Sequence, residues 1–259
     1  MPELPEVEHA VRRLRVALVG RAIVRARALH RSLRRSMTPA RLRSLAGRTV
    51  REVSRRGKHQ LLHLDSGALL HVHFRMTGDW EWHATGAPSP AHVRFALELD
   101  DATTVVLSDS RALATVAFVR GVADLPALGP EADDPTLTAD WLRAALRGRR
   151  GAIKTVLLDQ RLLAGIGNIY ASEALWHAQL SPRASAASLA PARVTRLLAG
   201  IRKALARGMA REGRHEEGES HEFLVYDREG APCHRCGAAI RRLVQGQRST
   251  YWCPRCQRV

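Results

Sequence analysis

Four cysteines close to the C-terminus restrict the fold of this chain more than any other feature. They form two Cys-x-x-Cys pairs, with residues 237–252 between the pairs: Cys233, Cys236, Cys253 and Cys256. Two such pairs can place four thiolates in a tetrahedron around Zn²⁺, with no position left open for water. Because a segment this short buries little apolar surface, the metal would supply its folding energy. We therefore predict one structural zinc ion; a redox pair or unrelated cysteines are the alternatives.

The charge balance favours a polyanionic partner. Lysine and arginine number 41 against 25 acidic residues, which gives a net charge of +16 and an isoelectric point near 11.2. Each phosphate that binds a cationic side chain releases condensed counterions, so such a surplus favours nucleic acid. A ribosomal or generally basic protein is the alternative. Only three of the cations are lysines (Lys58, Lys154 and Lys203), so a retained lysine can mark a site that needs an amine.

The sequence predicts neither a leader nor a membrane span. Its first residues, MPELPEVEHA, hold no apolar run. No stretch approaches the roughly 18 consecutive apolar residues that a span needs. Cysteines at metal-ligand spacing suit a reducing compartment. We therefore expect a cytoplasmic protein with no membrane partner.

Hydrophobic periodicity predicts an α+β fold. Apolar residues recur at helical spacing from Pro5 to a stop at Gly20. Short strands follow from about residue 22 to 120, including a hairpin that turns at Asp65-Ser66-Gly67. Together they indicate an N-terminal antiparallel β-sandwich with flanking helices.

The second half of the chain reads as helical up to the cysteines. We predict helices around 139–146, 153–158, 168–176 and 191–209. The turn-rich LGPEADDP at 128–135 predicts a linker. The expected domains are therefore 1–127 (β-sandwich), 128–135 (linker), 136–223 (helical) and 224–259 (a β-hairpin held by four cysteines).

Four separate motifs resemble one protein family. They are MPELPEVE at the start, RRGK at 55–58, GIGNIYASEAL at 165–175, and QRST at 247–250 within the cysteine hairpin. Their order and spacing resemble those of the formamidopyrimidine-DNA glycosylase / endonuclease VIII family, and PELPEVE resembles the formamidopyrimidine branch. The resemblance implies a β-sandwich, a helix–two-turn–helix domain and a zinc finger. It also implies base-excision repair, with damaged or abasic double-stranded DNA as the partner, and a bacterial, nucleoid-associated protein that acts as a monomer.

The resemblance assigns catalysis to Pro2, Glu3 and Lys58. Removal of Met1 would leave Pro2 with a free secondary amine, and an α-amino pKa of about 7.7–8.0 leaves a useful fraction nucleophilic at neutral pH. Attack on C1′ of the deoxyribose would give an iminium and then strand cleavage by elimination. Glu3 would protonate the sugar-ring oxygen. Taken alone, Pro2 could merely shape the N-terminus.

Further residues are implied to hold the DNA. Lys58, His73, Asn168 and Arg248 would bind the phosphates that flank the extruded nucleotide, without reading sequence. Taken alone, His73 could be a structural histidine and Arg248 a solvated one.

Extruding a nucleotide leaves a gap in the duplex that the protein must fill. The family fills it with methionine, arginine and phenylalanine. Here Met76 and Arg111 match, whereas Leu113 stands at the phenylalanine position and Ala112 replaces a second arginine. Leucine is an apolar wedge that stacks less well on a base.

One segment departs from the family's 8-oxoguanine enzymes. Their longer, glycine-containing loop before the zinc finger corresponds here to the short, charged GRHEEGESHE at 213–222. With Leu113, this departure suggests a more open base pocket for ring-opened purines, oxidised pyrimidines or bulkier adducts. The preferred lesion, the opposite base and the extent of elimination stay open. A non-catalytic relative that binds damaged DNA is the alternative function.

Overall fold

The structure, a computed structural model, describes residues 2–211 and 223–258. It forms two compact units, Met1–Pro126 and Ala127–Val259. Segment 213–222 lies outside the described residues. In the described part of the chain, no helix has both the length and the apolar character needed to cross a bilayer.

The first unit is an antiparallel β-sandwich with two helices. One four-stranded sheet has the order β1-β6-β7-β5 and the other β2-β3-β4-β8. The helices and strands are α1 (Leu4–Leu18), β1 (Ile23–Ala28), α2 (Pro39–Leu45), β2 (Val50–Arg56), β3 (His59–Leu64), β4 (Leu69–His73), β5 (Asp79–Ala84), β6 (Val93–Leu99), β7 (Thr103–Ser108) and β8 (Thr115–Val119). One apolar core takes side chains from both sheets and from α1, which confirms the predicted sandwich.

Helix α1 forms where the periodicity predicts it. Its apolar stripe is fully buried at Val7, Val11, Leu14 and Leu18. Burying each such side chain contributes about 1.5–3 kcal/mol. Pro5 lies in the first turn, where its missing N–H has no helical partner to lose. The stripe thereby fixes the helix, and with it the first residues of the chain, against the sandwich core.

The second unit is helical and ends in a β-hairpin. Its elements are α3 (Ala139–Leu146), α4 (Ile153–Leu157), α5 (Asn168–Ala178), α6 (Pro191–Met209), β9 (Arg241–Gln245) and β10 (Arg248–Trp252). Helices α5 and α6 pack closely because Gly200 has no side chain: a Cβ there would lie 2.4 Å from the carbonyl oxygen of Ala174. These elements match the predicted helices and hairpin.

The predicted linker contains backbone hydrogen bonds within the second unit. The Gly129 N–H donates to the carbonyl of Gln160 over 2.9 Å, and the Ala132 N–H donates to that of Ala164 over 3.1 Å. The segment therefore packs against the loop that precedes α5. The predicted domain boundaries stay predictions.

Candidate functional site

The chain start is fixed at the N-terminus of α1. Pro2 is buried and Glu3 is 1% exposed. Glu3 and Glu6 form a capping box, in which the Glu3 N–H donates to Oε2 of Glu6 over 2.8 Å. Glu6 is thus a helix-start residue. Pro2 and Glu3 are held together at the positive end of a helix.

Lys58 lies in the turn between β2 and β3 and is 8% exposed. The same turn is tied to α1 by Arg55, whose Nε lies 3.0 Å from Oε2 of Glu8 and whose Nη1 donates to the carbonyl of Gly57 over 3.1 Å. Burial raises the pKa of Glu8, but Arg55, Arg12 and Arg15 hold it below its usual range. The ion pair therefore fixes the lysine's turn to the helix that carries Pro2.

Three histidines cluster on β3 and β4. The His59 and His73 rings meet edge-to-face at 4.8 Å, and His59 Nδ1 lies 2.8 Å from His71 Nε2. Burial, together with neighbouring His59, Arg75, His71 and Lys58, lowers the pKa of His73 to about 3. Nδ1 of His73 accepts the Arg75 N–H over 2.9 Å. Neutral His73 therefore carries its proton on Nε2, which can donate to an anion.

Two turns of the first unit present the predicted gap-filling side chains. Met76 follows β4 and is 37% exposed, while Leu113 follows β7 and is 43% exposed. Arg111 lies in the same turn as Leu113 and is also exposed. Exposed apolar side chains on two connected turns fit insertion into a partner.

Asn168 begins α5 and bridges two elements of the second unit. Its Oδ1 accepts a hydrogen bond from Nζ of Lys154, and its Nδ2 donates to the carbonyl of Ser249 over 2.9 Å. Lys154 is fully buried on α4. One Nδ2 hydrogen of Asn168 is thus left for a further acceptor at the start of α5.

Lys154 is a residue that the motif analysis missed. A buried lysine is costly unless its charge has a partner, and this one holds a residue predicted to bind DNA. The available signal in the sequence was the scarcity of lysine, which occurs at only three positions in this arginine-rich chain.

Glu173 organises the segment that leads into the cysteines. Its carboxylate accepts the N–H groups of Leu224, Val225 and Tyr226 over 2.9–3.0 Å. Complete burial raises the pKa of this carboxyl, although the three N–H groups oppose the rise. The residue thus anchors the chain directly after the segment 212–222.

The C-terminal hairpin presents Arg248 beside its turn. Gly246 and Gln247 adopt positive φ angles of 54° and 60°, as a tight two-residue hairpin turn requires. Arg248 opens β10 and is exposed, and its guanidinium contacts no acidic side chain among the described residues. The turn therefore holds a free guanidinium near the hairpin tip.

The four cysteines converge as their spacing predicts. Their sulfur atoms all lie within 4.8 Å of one another, and Cys236 and Cys253 are 3.5 Å apart. Tetrahedral Zn–S bonds of about 2.3 Å require sulfurs about 3.8 Å apart, so the set fits one structural zinc ion. Trp176 donates its indole N–H to Sγ of Cys233 over 3.4 Å, which links α5 to the metal site.

The predicted residues divide between the two units. The first unit holds Pro2, Glu3, Lys58, His73, Met76, Arg111 and Leu113. The second holds Asn168, Arg248 and the four cysteines. Within each unit the residues lie on rigid element ends or short turns, which is how binding sites are commonly presented.

Three family models match the chain. The formamidopyrimidine-DNA glycosylase N-terminal domain matches residues 1–116, and the formamidopyrimidine-DNA glycosylase H2TH domain matches 128–218. A zinc finger found in FPG and IleRS matches 230–259. Together they span both units.

Named relatives match over the full length. The chain is 41% identical to the formamidopyrimidine-DNA glycosylase of Rhizorhabdus wittichii, with 100% of both chains covered. It is 40% identical to that of Chloroflexus aurantiacus, with 99% of this chain and 98% of the relative covered.

Solved structures of DNA complexes also match. Lactococcus lactis Fpg with abasic-site DNA gives a TM-score of 0.91 at 29% identity, covering 99% of this chain and 100% of that one. MutM with DNA containing carbocyclic 8-oxo-G, and L. lactis Fpg with DNA containing N7-benzyl-Fapy-dG, each give 0.92 at 29% identity and cover 100% of both chains.

The sandwich, the helical unit and the zinc hairpin define a DNA-repair glycosylase that also cleaves abasic sites. The chain belongs to the formamidopyrimidine-DNA glycosylase family. It is accordingly a DNA glycosylase of base-excision repair with abasic-site lyase activity.

Proposed function

We propose that the chain removes oxidised or ring-opened bases from double-stranded DNA through a Schiff base on Pro2, followed by β/δ-elimination. The buried Pro2-Glu3 pair at the start of α1 carries this proposal, since DNA binding alone has no use for it. With Met1 removed, the Pro2 nitrogen attacks C1′, the damaged base departs, and an iminium forms. The positive end of α1 disfavours a charged amine and so favours the nucleophilic form.

Glu3 serves as the general acid in this scheme. It protonates the ring oxygen O4′ as the sugar opens, and the iminium then accepts the electrons released when the C2′ proton leaves. The 3′ phosphate departs first and the 5′ phosphate second. Water finally hydrolyses the Schiff base and regenerates the free amine. The capping box with Glu6 supports this role because it restricts the position of Glu3.

Four residues hold the phosphates next to the extruded nucleotide. His73 donates from neutral Nε2, since its Nδ1 accepts the Arg75 N–H. Asn168, at the start of α5, contributes its remaining amide hydrogen. Lys58 and Arg248 contribute charge, and Lys58 also assists departure of the base. Such contacts position DNA and carry no base information.

Met76, Arg111 and Leu113 fill the gap that extrusion leaves. The exposure of the two apolar side chains supports this role. Leu113 is smaller than the family's phenylalanine, and segment 213–222 is shorter than the loop of the 8-oxoguanine enzymes. Both differences favour a more open pocket for the lesion. We therefore propose ring-opened purines, oxidised pyrimidines and bulkier adducts as substrates alongside 8-oxoguanine. Among its structural relatives, Fpg occurs in complex with DNA that contains a benzylated ring-opened guanine.

Binding in this mode needs a single copy of the chain, so we propose a monomer that acts in the cytoplasm, associated with the nucleoid. The boundaries 1–127, 128–135, 136–223 and 224–259 remain our proposal for its domains.

Borohydride trapping tests the proposed function. The protein, with Met1 shown to be absent and zinc bound, is mixed with duplexes that carry an abasic site, 8-oxoguanine, a ring-opened purine or an oxidised pyrimidine. We expect a covalent complex that is lost in Pro2→Gly. No complex with any duplex would instead favour the non-catalytic relative. A strong preference for 8-oxoguanine opposite cytosine would contradict the open pocket.

A further inference from the structure

A single buried carboxylate joins the two turns that carry the gap-filling residues. Asp109 directly follows β7 and is 1% exposed. Its Oδ2 accepts the N–H groups of Leu113 and Ala114 over 2.6 and 2.7 Å. Its Oδ1 accepts the Arg111 N–H over 3.1 Å and the hydroxyl of Thr77. One side chain thus binds its own turn at three points and the Met76 turn at one.

The link between the turns is reinforced at Thr77. Its Oγ1 also lies 3.4 Å from the Arg111 nitrogen. The Thr77 hydroxyl, the Asp109 carboxylate and the Arg111 N–H are therefore all hydrogen-bonded to one another. Thr77 directly follows Met76 in the sequence. Asp109 and Thr77 therefore join the turn that carries Met76 to the turn that carries Leu113 by hydrogen bonds.

The buried charge of Asp109 is compensated by hydrogen bonds. A buried carboxylate is costly unless it is fully compensated, and Asp109 takes this compensation from four donors, with no ion pair in the described part of the chain. Two residues of these turns, Arg75 and Ala112, hold positive φ angles of 58° and 53°, which non-glycine residues rarely adopt. Local strain combined with a buried charge is typical of places where a functional geometry is being maintained.

We propose that Asp109 is a positioning residue for base extrusion: it holds Met76, Arg111 and Leu113 as one preformed wedge. Rigid placement avoids ordering two turns at the moment the duplex opens. The inference rests on the proposed function, and it adds a residue that itself touches neither the sugar nor the departing base.

The test separates extrusion from chemistry. Thr77→Val removes the hydroxyl that links the turns, Thr77→Ser keeps it, and Asp109→Asn replaces one acceptor by a donor. Asp101→Asn is the matched control, because Asp101 also accepts a backbone N–H in a turn of this unit but lies in the β6–β7 connection. Each variant is assayed for single-turnover excision from a duplex, and for borohydride trapping on a single-stranded abasic oligonucleotide, where no duplex must open.

We expect Thr77→Val and Asp109→Asn to slow duplex excision about tenfold or more, while single-strand trapping stays within about twofold. Thr77→Ser and Asp101→Asn should match the wild type. A 2-aminopurine placed beside the lesion should report slower unstacking in the two slow variants. Should Asp109→Asn fail to fold, Thr77→Val carries the test alone.

Equal losses on both substrates, or no loss on the duplex, would overturn the positioning role. A wild-type protein that excises and traps nothing would instead overturn the proposed function itself. The two failures are therefore distinguishable.

Discussion

The zinc hairpin and the two turns that carry Met76 and Leu113, here called the wedge turns, are stabilised by charges of opposite sign. Each must hold an exposed side chain, Arg248 in one and Met76 in the other, on a short connection with little apolar core of its own. The hairpin segment is organised around four thiolates that fit one cation. The wedge turns are organised around one buried anion, Asp109, and the donors that surround it.

The difference lies in where the stabilising partner comes from. The hairpin depends on a metal from solution, so its stability is coupled to metal binding. The wedge turns are held by groups of the chain itself, namely backbone N–H groups, the Thr77 hydroxyl and the Arg94 guanidinium, which donates to the Asp109 carbonyl. Their geometry therefore forms together with the sandwich. The proposed DNA contact at Arg248 can therefore be lost without unfolding the first unit. The proposed wedge cannot be loosened without altering the turns of the sandwich itself.

Zinc removal should give the largest effect and separate the two regions. Structural zinc contributes about 10–16 kcal/mol of apparent binding free energy in small domains. A strong chelator should therefore abolish amide-exchange protection across residues 233–256 and weaken DNA binding by more than about a hundredfold. The amides of residues 109–114 should stay protected, and added zinc should restore the hairpin. Protection of the hairpin in chelated protein would contradict its dependence on metal.

Glu173→Ala should have the second-largest effect. It tests whether the metal alone organises the C-terminal segment. The substitution leaves three N–H groups without their acceptor, at a cost of about 2–4 kcal/mol in the free energy of unfolding. Thermal denaturation of the zinc-loaded protein measures it. Glu173→Gln keeps an acceptor oxygen and should lose less. If both variants melt like the wild type, the metal suffices.

Acid should destabilise the first unit through His73, with a smaller effect. Its pKa is about 3 in the folded state and near 6.5 when unfolded. As pH falls below 6.5, the unfolded chain takes up a proton that the folded chain does not, so stability falls. Between pH 7 and 5 the wild type should lose about 1–2 kcal/mol more than His73→Gln. Denaturant titrations at both pH values measure this difference, with the exposed His92→Gln as the control. Parallel losses in wild type and His73→Gln would refute the assignment.

Arg248→Ala should have the smallest effect on stability, under about 0.5 kcal/mol, because the side chain is exposed. It should still reduce the slope of log affinity against log salt by about 1, since one phosphate contact is lost. Arg241→Ala, at the base of the same hairpin, should keep the slope. An unchanged slope in Arg248→Ala would remove this residue from the phosphate ligands.

Structural features that depend on residues close together in the chain were predictable from the sequence. Helix α1, the hairpin at Asp65-Ser66-Gly67 and the cysteine site all follow from local periodicity, turn residues or ligand spacing. The family resemblance supplied the candidate residues Pro2 and Lys58, whose catalytic roles stay predictions.

Contacts over long sequence distances were not predictable. Thr77 and Asp109 are 32 residues apart, and Glu173 and Val225 are 52 apart. Neither carboxylate differs in its sequence pattern from a solvated one. The lowered pKa of His73 likewise depends on burial and on a cross-strand neighbour, His59, so it becomes apparent only once the strands are paired and packed.

We propose that the N-terminal proline forms the covalent bond to DNA. Borohydride-trapped protein on abasic DNA can be digested with trypsin and the modified peptide sequenced by mass spectrometry. We predict the deoxyribose adduct on the nitrogen of Pro2, in the peptide that covers residues 2–12 and lacks Met1. An adduct on Lys58 or Lys154, with an unmodified N-terminal peptide, would show that Pro2 is not the nucleophile.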